Sequence, residues 1–235
     1  MDDLGAVPPD TDPVAALREE CQAVSDVVKQ LDESDFARST RCPEWNLKEL
    51  FAHMVRDVDR INAGLDNPAP ERVTHDAVSY FGSYDGTPGG AAAAGVAERS
   101  KELAARFPDG AALRDVWNDL WPRTLERAAG SARSRLVVTF GPVLTLDEYL
   151  KTRVLEVTVH RMDLQDALGE RGWGTDSAVS IVDDILVGLL GTEPPRTLDW
   201  DVVDFIEAAT GRRPLTNVEL KKLGVRLSKK FPLLG

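Results

Sequence analysis

Apolar residues recur at spacings of three and four along much of the chain, which is the pattern of amphipathic α-helices. The first such stretch runs from residue 13 to about residue 31. The second follows Asn46, which can cap it together with Glu49 in a variant of the capping box. This second helix has the clearest apolar stripe, formed by Leu47, Leu50, Phe51, Met54, Val58, Ile61 and Leu65.

Two segments break the helical pattern. Residues 66–90 contain several glycines and aromatic residues and predict a long loop, which in a compact domain is either functional or mobile. Residues 135–140 contain β-branched residues, are followed by Gly141, and predict a short hairpin or an extended crossover. These segments separate the predicted helices into groups.

Four further helices are predicted, over residues 90–106, 111–129, 146–168 and 176–190. Pro122 can kink the second of them. Thr145 and Glu148 predict a capping box at the start of the third, and Gly169 and Gly191 follow the last two as C-caps. After these, residues 197–209 are expected to start extended and end helical, and residues 217–223 predict a short helix.

The order of elements predicts a mainly α protein. Its architecture is an up-and-down four-helix bundle with a short β hairpin or crossover and a small C-terminal extension. We expect a flexible N-terminus at residues 1–11, the bundle at residues 12–191 and the extension at residues 192–235.

Charge and composition argue against several classes of binding partner. The 235-residue chain has a net charge of −11, which disfavours binding to nucleic acid or to an anionic membrane. The N-terminus has no apolar core typical of a signal peptide, and no apolar run approaches the roughly 18 residues of a membrane span. We therefore expect a cytoplasmic protein. The sequence leaves the oligomeric state open, with a homodimer among the options.

Candidate chemistry rests on two of the three histidines in the chain. His53 lies midway along the second predicted helix. Glu156 and His160 lie four residues apart on a later helix, so their side chains share one face about a turn apart. Two histidines and a carboxylate from facing helices suit Zn²⁺, and also Ni²⁺, Mn²⁺ or Fe²⁺, with a coordination position left for water or substrate. The alternative is that they are ordinary core or surface residues.

Other polar residues surround these three in sequence. Asp163 could orient His160 as a hydrogen-bond acceptor. Arg153 could pair with Glu156 or hold an anionic substrate group. Asp57, four residues after His53, is a further candidate catalytic residue. For all three, a solvated salt-bridge face is the competing interpretation.

The remaining histidine and one cysteine are assigned no chemistry. We interpret His75, in the predicted loop, as a surface residue that binds no metal. Cys42 could be a reactive thiol, but a small buried hydrophobic residue is the preferred interpretation.

Two motifs resemble those of the mycothiol-dependent maleylpyruvate isomerase family, a branch of the DinB-like superfamily. The first is TRCPEWNLKELFAH, ending at His53, and the second is LDEYLKTRVLEVTVHRMDLQDALG, which contains Glu156 and His160. The resemblance covers roughly residues 12–190. It implies a DinB-like bundle in which these three residues bind a divalent metal, usually zinc, and in which mycothiol is the thiol cosubstrate. The tail ATGRRP resembles an ending common among related actinobacterial proteins.

The resemblance implies a metal-dependent enzyme in which zinc lowers the pKa of a low-molecular-weight thiol that attacks an electrophile. The reaction would be either a maleylpyruvate-type isomerisation or a thiol S-transfer. The isomerase proper has a sizeable α/β domain after the bundle, whereas residues 192–235 follow Gly191 here. Two alternatives stay open: a non-catalytic metal- or small-ligand-binding protein, and a metal-dependent hydrolase with Asp57 as its general base.

Overall fold

The computed structural model describes residues 11–67, 71–83, 91–139 and 141–234, without the side chains of residues 91–93. These residues form mainly helices and one small sheet. The helices are α1 (Pro13–Val28), α2 (Leu47–Asp66), α3 (Ala77–Ser83), α4 (Ala91–Ala105), α5 (Gly110–Ala129), α6 (Leu146–Ala167), α7 (Asp176–Leu190), α8 (Val202–Ala209) and α9 (Asn217–Ser228). The strands are β1 (Leu136–Val138) and β2 (Val143–Thr145).

Helices α1, α2, α5 and α6 form a four-helix bundle, since each packs against two neighbours around one core. The core includes large side chains that are essentially inaccessible to solvent, among them Leu17, Phe51, Trp117, Tyr149 and Leu150. Helix α4 packs on α2, and α7 packs on α1 and α6. The predicted mainly α bundle is therefore confirmed.

The start of α2 follows the sequence pattern. The Asn46 Oδ1 accepts from the Glu49 N–H at 2.9 Å, and the Glu49 Oε2 accepts from the Asn46 N–H at 2.9 Å. This reciprocal pair satisfies two of the free N–H groups at the helix end. The cap therefore sets where α2 begins. His53 and Asp57 lie on the buried face of α2, inside the bundle.

The segment before α6 is an antiparallel hairpin, not a crossover, with Val137 opposite Leu144. The second predicted capping box is only half correct. Thr145 Oγ1 accepts from the Glu148 N–H at 3.2 Å, but the Glu148 carboxylate accepts from the Ala77 N–H at 2.8 Å. Glu148 therefore caps α3, because tertiary packing brings the start of that helix within its reach.

The predicted loop over residues 66–90 is wrong in part, because it contains α3. This short helix buries Tyr80 and Phe81 and packs on α6 and α7. Residues 68–70 and 84–90 of the predicted loop lie outside the described residues. Helix α9 is also longer than predicted, but Gly224 interrupts it with a φ of +70°.

The C-terminal extension lies against the bundle. Helix α8 packs on α7, and Lys230 Nζ donates to the Leu190 carbonyl at 2.6 Å. The Leu233 and Leu234 N–H groups both donate to the carbonyl of Ala209, at 2.7 and 3.0 Å. Helix α8 and Lys230 thus attach the extension to α7, and its last residues fold back onto the end of α8, while the domain boundaries stay a prediction. Among the described helices, none combines the length and apolar character that a bilayer span requires.

Candidate metal centre

The structure brings the three predicted metal ligands together between α2 and α6. His53 comes from α2, and Glu156 and His160 come from successive turns of α6. One ligand-type atom of each residue lies within 4.8 Å of the others. The four-residue spacing on α6 places the side chains of Glu156 and His160 one turn apart on the same face. The packing of α2 on α6 brings the His53 side chain against them.

The distances within this group suit a small cation. Glu156 Oε2 lies 3.9 Å from His53 Nε2 and 3.5 Å from His160 Nε2. Tetrahedral zinc with bonds of about 2.0–2.1 Å separates its ligand atoms by about 3.4 Å. The Glu156 side chain is 25% exposed, against 7% for His53 and 9% for His160, so the group is open on the Glu156 side.

An orphaned oxygen next to the group provides a second test of this fit. Asp57 Oδ2 is buried and has no hydrogen-bond partner within the described part of the chain, although it lies 3.0 Å from His53 Nε2. A buried carboxylate oxygen without a hydrogen-bond donor is costly unless a cation compensates it. The two imidazoles and the Glu156 carboxylate form a donor set that fits a divalent metal, and Asp57 lies beside it against His53.

The other oxygen of Asp57 pairs with an arginine beside the three predicted metal ligands. Arg153 Nη1 donates to Asp57 Oδ1 at 3.1 Å, while Arg153 Nη2 is 4.0 Å from Glu156 Oε1. Burial would raise the pKa of Asp57, but the neighbouring His53 and Arg153 charges hold that pKa below its usual range. Two roles were expected for Arg153, pairing with a carboxylate of the site or holding an anionic substrate group. Because Arg153 is almost inaccessible to solvent, the geometry favours the pairing.

Aromatic and hydroxyl groups hold the His53 ring in place. The indole of Trp45 stacks on this imidazole with centroids 4.7 Å apart and meets the His160 ring edge-on at 5.8 Å. Ser100 Oγ on α4 lies 3.4 Å from His53 Nδ1. Sequence reasoning missed both contacts. Trp45 lies within the first motif, which was a usable signal, whereas nothing in the local sequence marks Ser100.

His160 is oriented from the other side by Asp163. The Asp163 Oδ2 lies 2.9 Å from His160 Nδ1, which leaves His160 Nε2 facing Glu156. Such an acceptor selects the tautomer of a metal-binding histidine and holds its ring. The structure thus brings Asp163 to the place where a role in orienting His160 was expected.

Two arginines that sequence reasoning missed hold Asp163. Arg41 Nε donates to Asp163 Oδ1 at 2.6 Å, and Arg41 Nη1 donates to Glu207 at 2.8 Å. Arg212, after α8, donates through Nε and Nη2 to both Asp163 oxygens at 3.1 and 2.8 Å. Burial would raise the pKa of Asp163, but Arg212 and His160 hold that pKa well below its usual range. The C-terminal extension therefore contributes directly to the surroundings of the site.

The cysteine prediction needs correction. Cys42 is half-buried, and its thiol donates to Asp163 Oδ2 at 3.3 Å, so it is not a buried hydrophobic residue. Cys42, His160 and Asp163 also bring ligand-type atoms within 4.8 Å of one another. Because Arg212 already neutralises Asp163, this second group is the poorer cation site. His75 belongs to neither group, and its Nδ1 lies 2.8 Å from Thr74 Oγ1.

The charges of the predicted ligands depend on each other. Burial alone would raise the pKa of Glu156, but the imidazoles of His160 and His53 hold that pKa well below its usual range. Burial lowers the pKa of His160, whereas Asp163, Cys42 and Glu156 together raise it well above its usual range. The carboxylate is thus ionised near neutral pH, and a bound cation would displace protons from the imidazoles.

Comparison with known proteins adds to this geometry. The family model of the mycothiol maleylpyruvate isomerase N-terminal domain matches residues 17–165. The chain belongs to this family. A crystal structure of the mycothiol-dependent maleylpyruvate isomerase has the same fold, with a TM-score of 0.54 and 15% identity over 80% of this chain and 72% of that chain. A histidine-to-alanine mutant of that enzyme gives a TM-score of 0.53 and 16% identity with the same coverage. No curated protein matches the chain by sequence.

Proposed function

We propose that this protein is a metal-dependent enzyme that uses a low-molecular-weight thiol, with mycothiol as the cosubstrate. It acts on a small electrophile either as a maleylpyruvate-isomerase-like enzyme or as a thiol S-transferase. The observation that carries the proposal is the convergence of His53, Glu156 and His160 on one partly open position, in a chain of this family. We place its work in the cytoplasm, with no nucleic-acid or membrane partner.

The donor set favours Zn²⁺, although Ni²⁺, Mn²⁺ and Fe²⁺ accept the same ligands. When bound, such a metal lowers the pKa of a thiol and favours the nucleophilic thiolate. The protein's own contribution is orientation. Asp163 holds the His160 ring, Trp45 and Ser100 hold the His53 ring, and Arg153 keeps Asp57 ionised beside it.

Metal-dependent hydrolysis is a second candidate, because Asp57 lies in the site as a general base would. A general base works best when its pKa lies near the operating pH. Arg153, whose Nη1 donates to Asp57 Oδ1 at 3.1 Å, instead lowers the pKa of Asp57, which makes it a weak base. This argument favours thiol chemistry over hydrolysis. A non-catalytic metal- or small-ligand-binding protein is the third candidate.

The test compares variants of two predicted metal ligands with a variant of a histidine outside the site. The wild type, His53→Ala, Glu156→Ala and the control His75→Ala are purified, their metal content is measured, and mycothiol consumption is followed with a panel of electrophiles that includes maleylpyruvate. We expect His53→Ala and Glu156→Ala to lose metal and turnover while His75→Ala keeps both. Full metal content and activity in His53→Ala would refute the metal site. A metal-loaded wild type without turnover on any electrophile would instead favour the binding protein.

A further inference from the structure

Helix α9 carries an exposed basic surface. Glu219, the one acidic residue in the sequence of α9, pairs with Arg213 at 3.0 Å. The cations of α9 and its C-cap are exposed, and their side chains form no ion pair or hydrogen bond within the described residues; they are Lys221, Lys222, Arg226 and Lys229. The helix therefore presents unpaired positive charge on a chain whose net charge is −11.

Apolar side chains are exposed among these cations. Val218 and Val225 are 60% and 73% exposed, and Leu220 is exposed as well. They are three of the six large apolar residues that are exposed in the described part of the chain, although α9 has only 12 residues. Single exposed apolar residues are ordinary, but a group of them rimmed by charge is typical of an interaction surface.

A cavity in the same C-terminal region has the opposite charge. It has a volume of about 310 Å³ and is lined by residues of α7, of α8 and of the segment that joins them. Arg171 pairs with one of its carboxylates, that of Asp201, at 2.7 Å, and the other three have no ion pair in the described residues. The charged residues that line the cavity are Asp183, Glu193, Asp199, Asp201 and one cation, Arg196.

The carboxylates of this acidic cavity repel each other. Burial and the charges of Glu193 and Asp184 raise the pKa of Asp183. A cationic partner would relieve this repulsion. Val202 and Phe205 add apolar atoms to the lining. The acidic cavity therefore complements both the cations and the exposed apolar side chains of α9.

We propose that α9 of one molecule docks against the acidic cavity of a second copy of this chain in a two-fold symmetric dimer. Because each copy carries both surfaces, the symmetry forms the same contact twice. The net charge of −11 repels two copies at long range, but salt screens charges that are separated by more than about 8 Å at physiological ionic strength. Complementary charges in contact therefore decide the association. This inference concerns assembly and does not depend on the proposed enzyme activity.

An anionic membrane is the competing partner for a basic helix with apolar residues. Gly224 interrupts α9 with a φ of +70°, so the helix does not present one continuous apolar face to a bilayer. Its exposed apolar side chains are two valines and a leucine, which are smaller than the aromatic residues common in membrane-surface helices. The acidic cavity, in contrast, offers both charge and apolar atoms to α9, which favours a second copy.

The first test measures self-association of the full chain by sedimentation velocity over a concentration series. The α9 variant is Lys221→Glu with Lys222→Glu, and the cavity variant is Asp183→Lys with Glu193→Lys. The control, Lys29→Glu with Arg123→Glu, makes the same change of net charge as the α9 variant at exposed positions of the bundle.

We expect a wild-type dimer whose dissociation constant rises by about tenfold or more in the α9 variant and in the cavity variant, because like charges then meet. The control should dimerise far better than the α9 variant. A wild type that stays monomeric throughout the series would overturn the proposal, and so would an α9 variant that dimerises as well as the control.

A mixing experiment separates the contact from a folding defect. When the α9 variant and the cavity variant are mixed, both contacts of a mixed dimer join opposite charges again, so association should return. Two variants that melt near the wild-type temperature but do not associate when mixed would overturn the proposal. If a variant does not fold, the wild type still decides, because a dissociation constant that does not rise with added salt would contradict a contact between charges.

Vesicles of equal parts phosphatidylserine and phosphatidylcholine test the competing partner. We expect the wild type to stay in the supernatant when the vesicles are pelleted. Pelleting of a monomeric wild type that the α9 variant abolishes would assign α9 to an anionic membrane and overturn the dimer.

Discussion

Asp163 is the residue whose replacement tests most of the structural argument. It is fully buried and accepts hydrogen bonds from Arg41 and Arg212 while facing His160 Nδ1. Asp163→Asn keeps the size of the side chain but removes its charge. The change therefore leaves two guanidinium groups beside each other without the anion that separates them, and it weakens the acceptor that orients His160.

The magnitude follows from burial and from the remaining partners. Removing one partner of a buried ion pair costs about 3–5 kcal/mol. Arg41 and Arg212 are 17% and 19% exposed, and each keeps another acceptor, Glu207 and the Thr210 carbonyl respectively. We therefore expect the lower end of that range, about 3 kcal/mol. A lost orienting acceptor should also weaken metal affinity by about 10–100-fold.

Urea unfolding of the metal-free protein measures the first effect, and competition with a chelating dye measures zinc affinity. The matched control is Asp166→Asn on the same helix. Its side chain is 50% exposed and lies 4.0 Å from Arg41, so its loss should cost at most about 1 kcal/mol. A loss below about 1 kcal/mol in Asp163→Asn would refute the view that the arginines depend on this charge. Unchanged zinc affinity would refute its role in orienting His160.

Two further predictions concern packing and acid stability. Gly110→Ala would place a Cβ 2.1 Å from the buried Phe36 ring, so it should lower the free energy of unfolding in urea by about 1–3 kcal/mol. Gly130→Ala is the control and should change this free energy little, because the nearest atom to a Cβ at Gly130 is 3.6 Å away. Burial would raise the pKa of Glu219, but this carboxylate accepts hydrogen bonds from the backbone N–H of the residue that caps α9 and from its other neighbours. These bonds lower the pKa of Glu219 to about 2. Its stabilising effect is therefore present above the unfolded pKa of about 4.3 and declines as pH falls towards 2, so Glu219→Gln should destabilise at pH 7 and converge with wild type in acid. A difference between the two proteins that is constant with pH would contradict this.

Much of the fold could be read from local patterns. The stripe of apolar residues in α2 and the reciprocal bonds of Asn46 and Glu49 involve residues at most one turn apart, so the sequence shows them directly. The facing of Glu156 and His160 follows from the helical period in the same way. Helix α3 was missed because a helix of seven residues carries too little periodic signal and is capped from a distance by Glu148.

The sequence by itself thus determined most of the long helices, the cap of α2, and the positions of His53 on one helix and of Glu156 and His160 on another. Only the tertiary structure decided what surrounds these three residues. Arg41 and Arg212 reach Asp163 across 122 and 49 residues of chain, and Ser100 reaches His53 across 47. No periodic pattern encodes such contacts, because they depend on how whole helices pack and not on the spacing of residues within one helix.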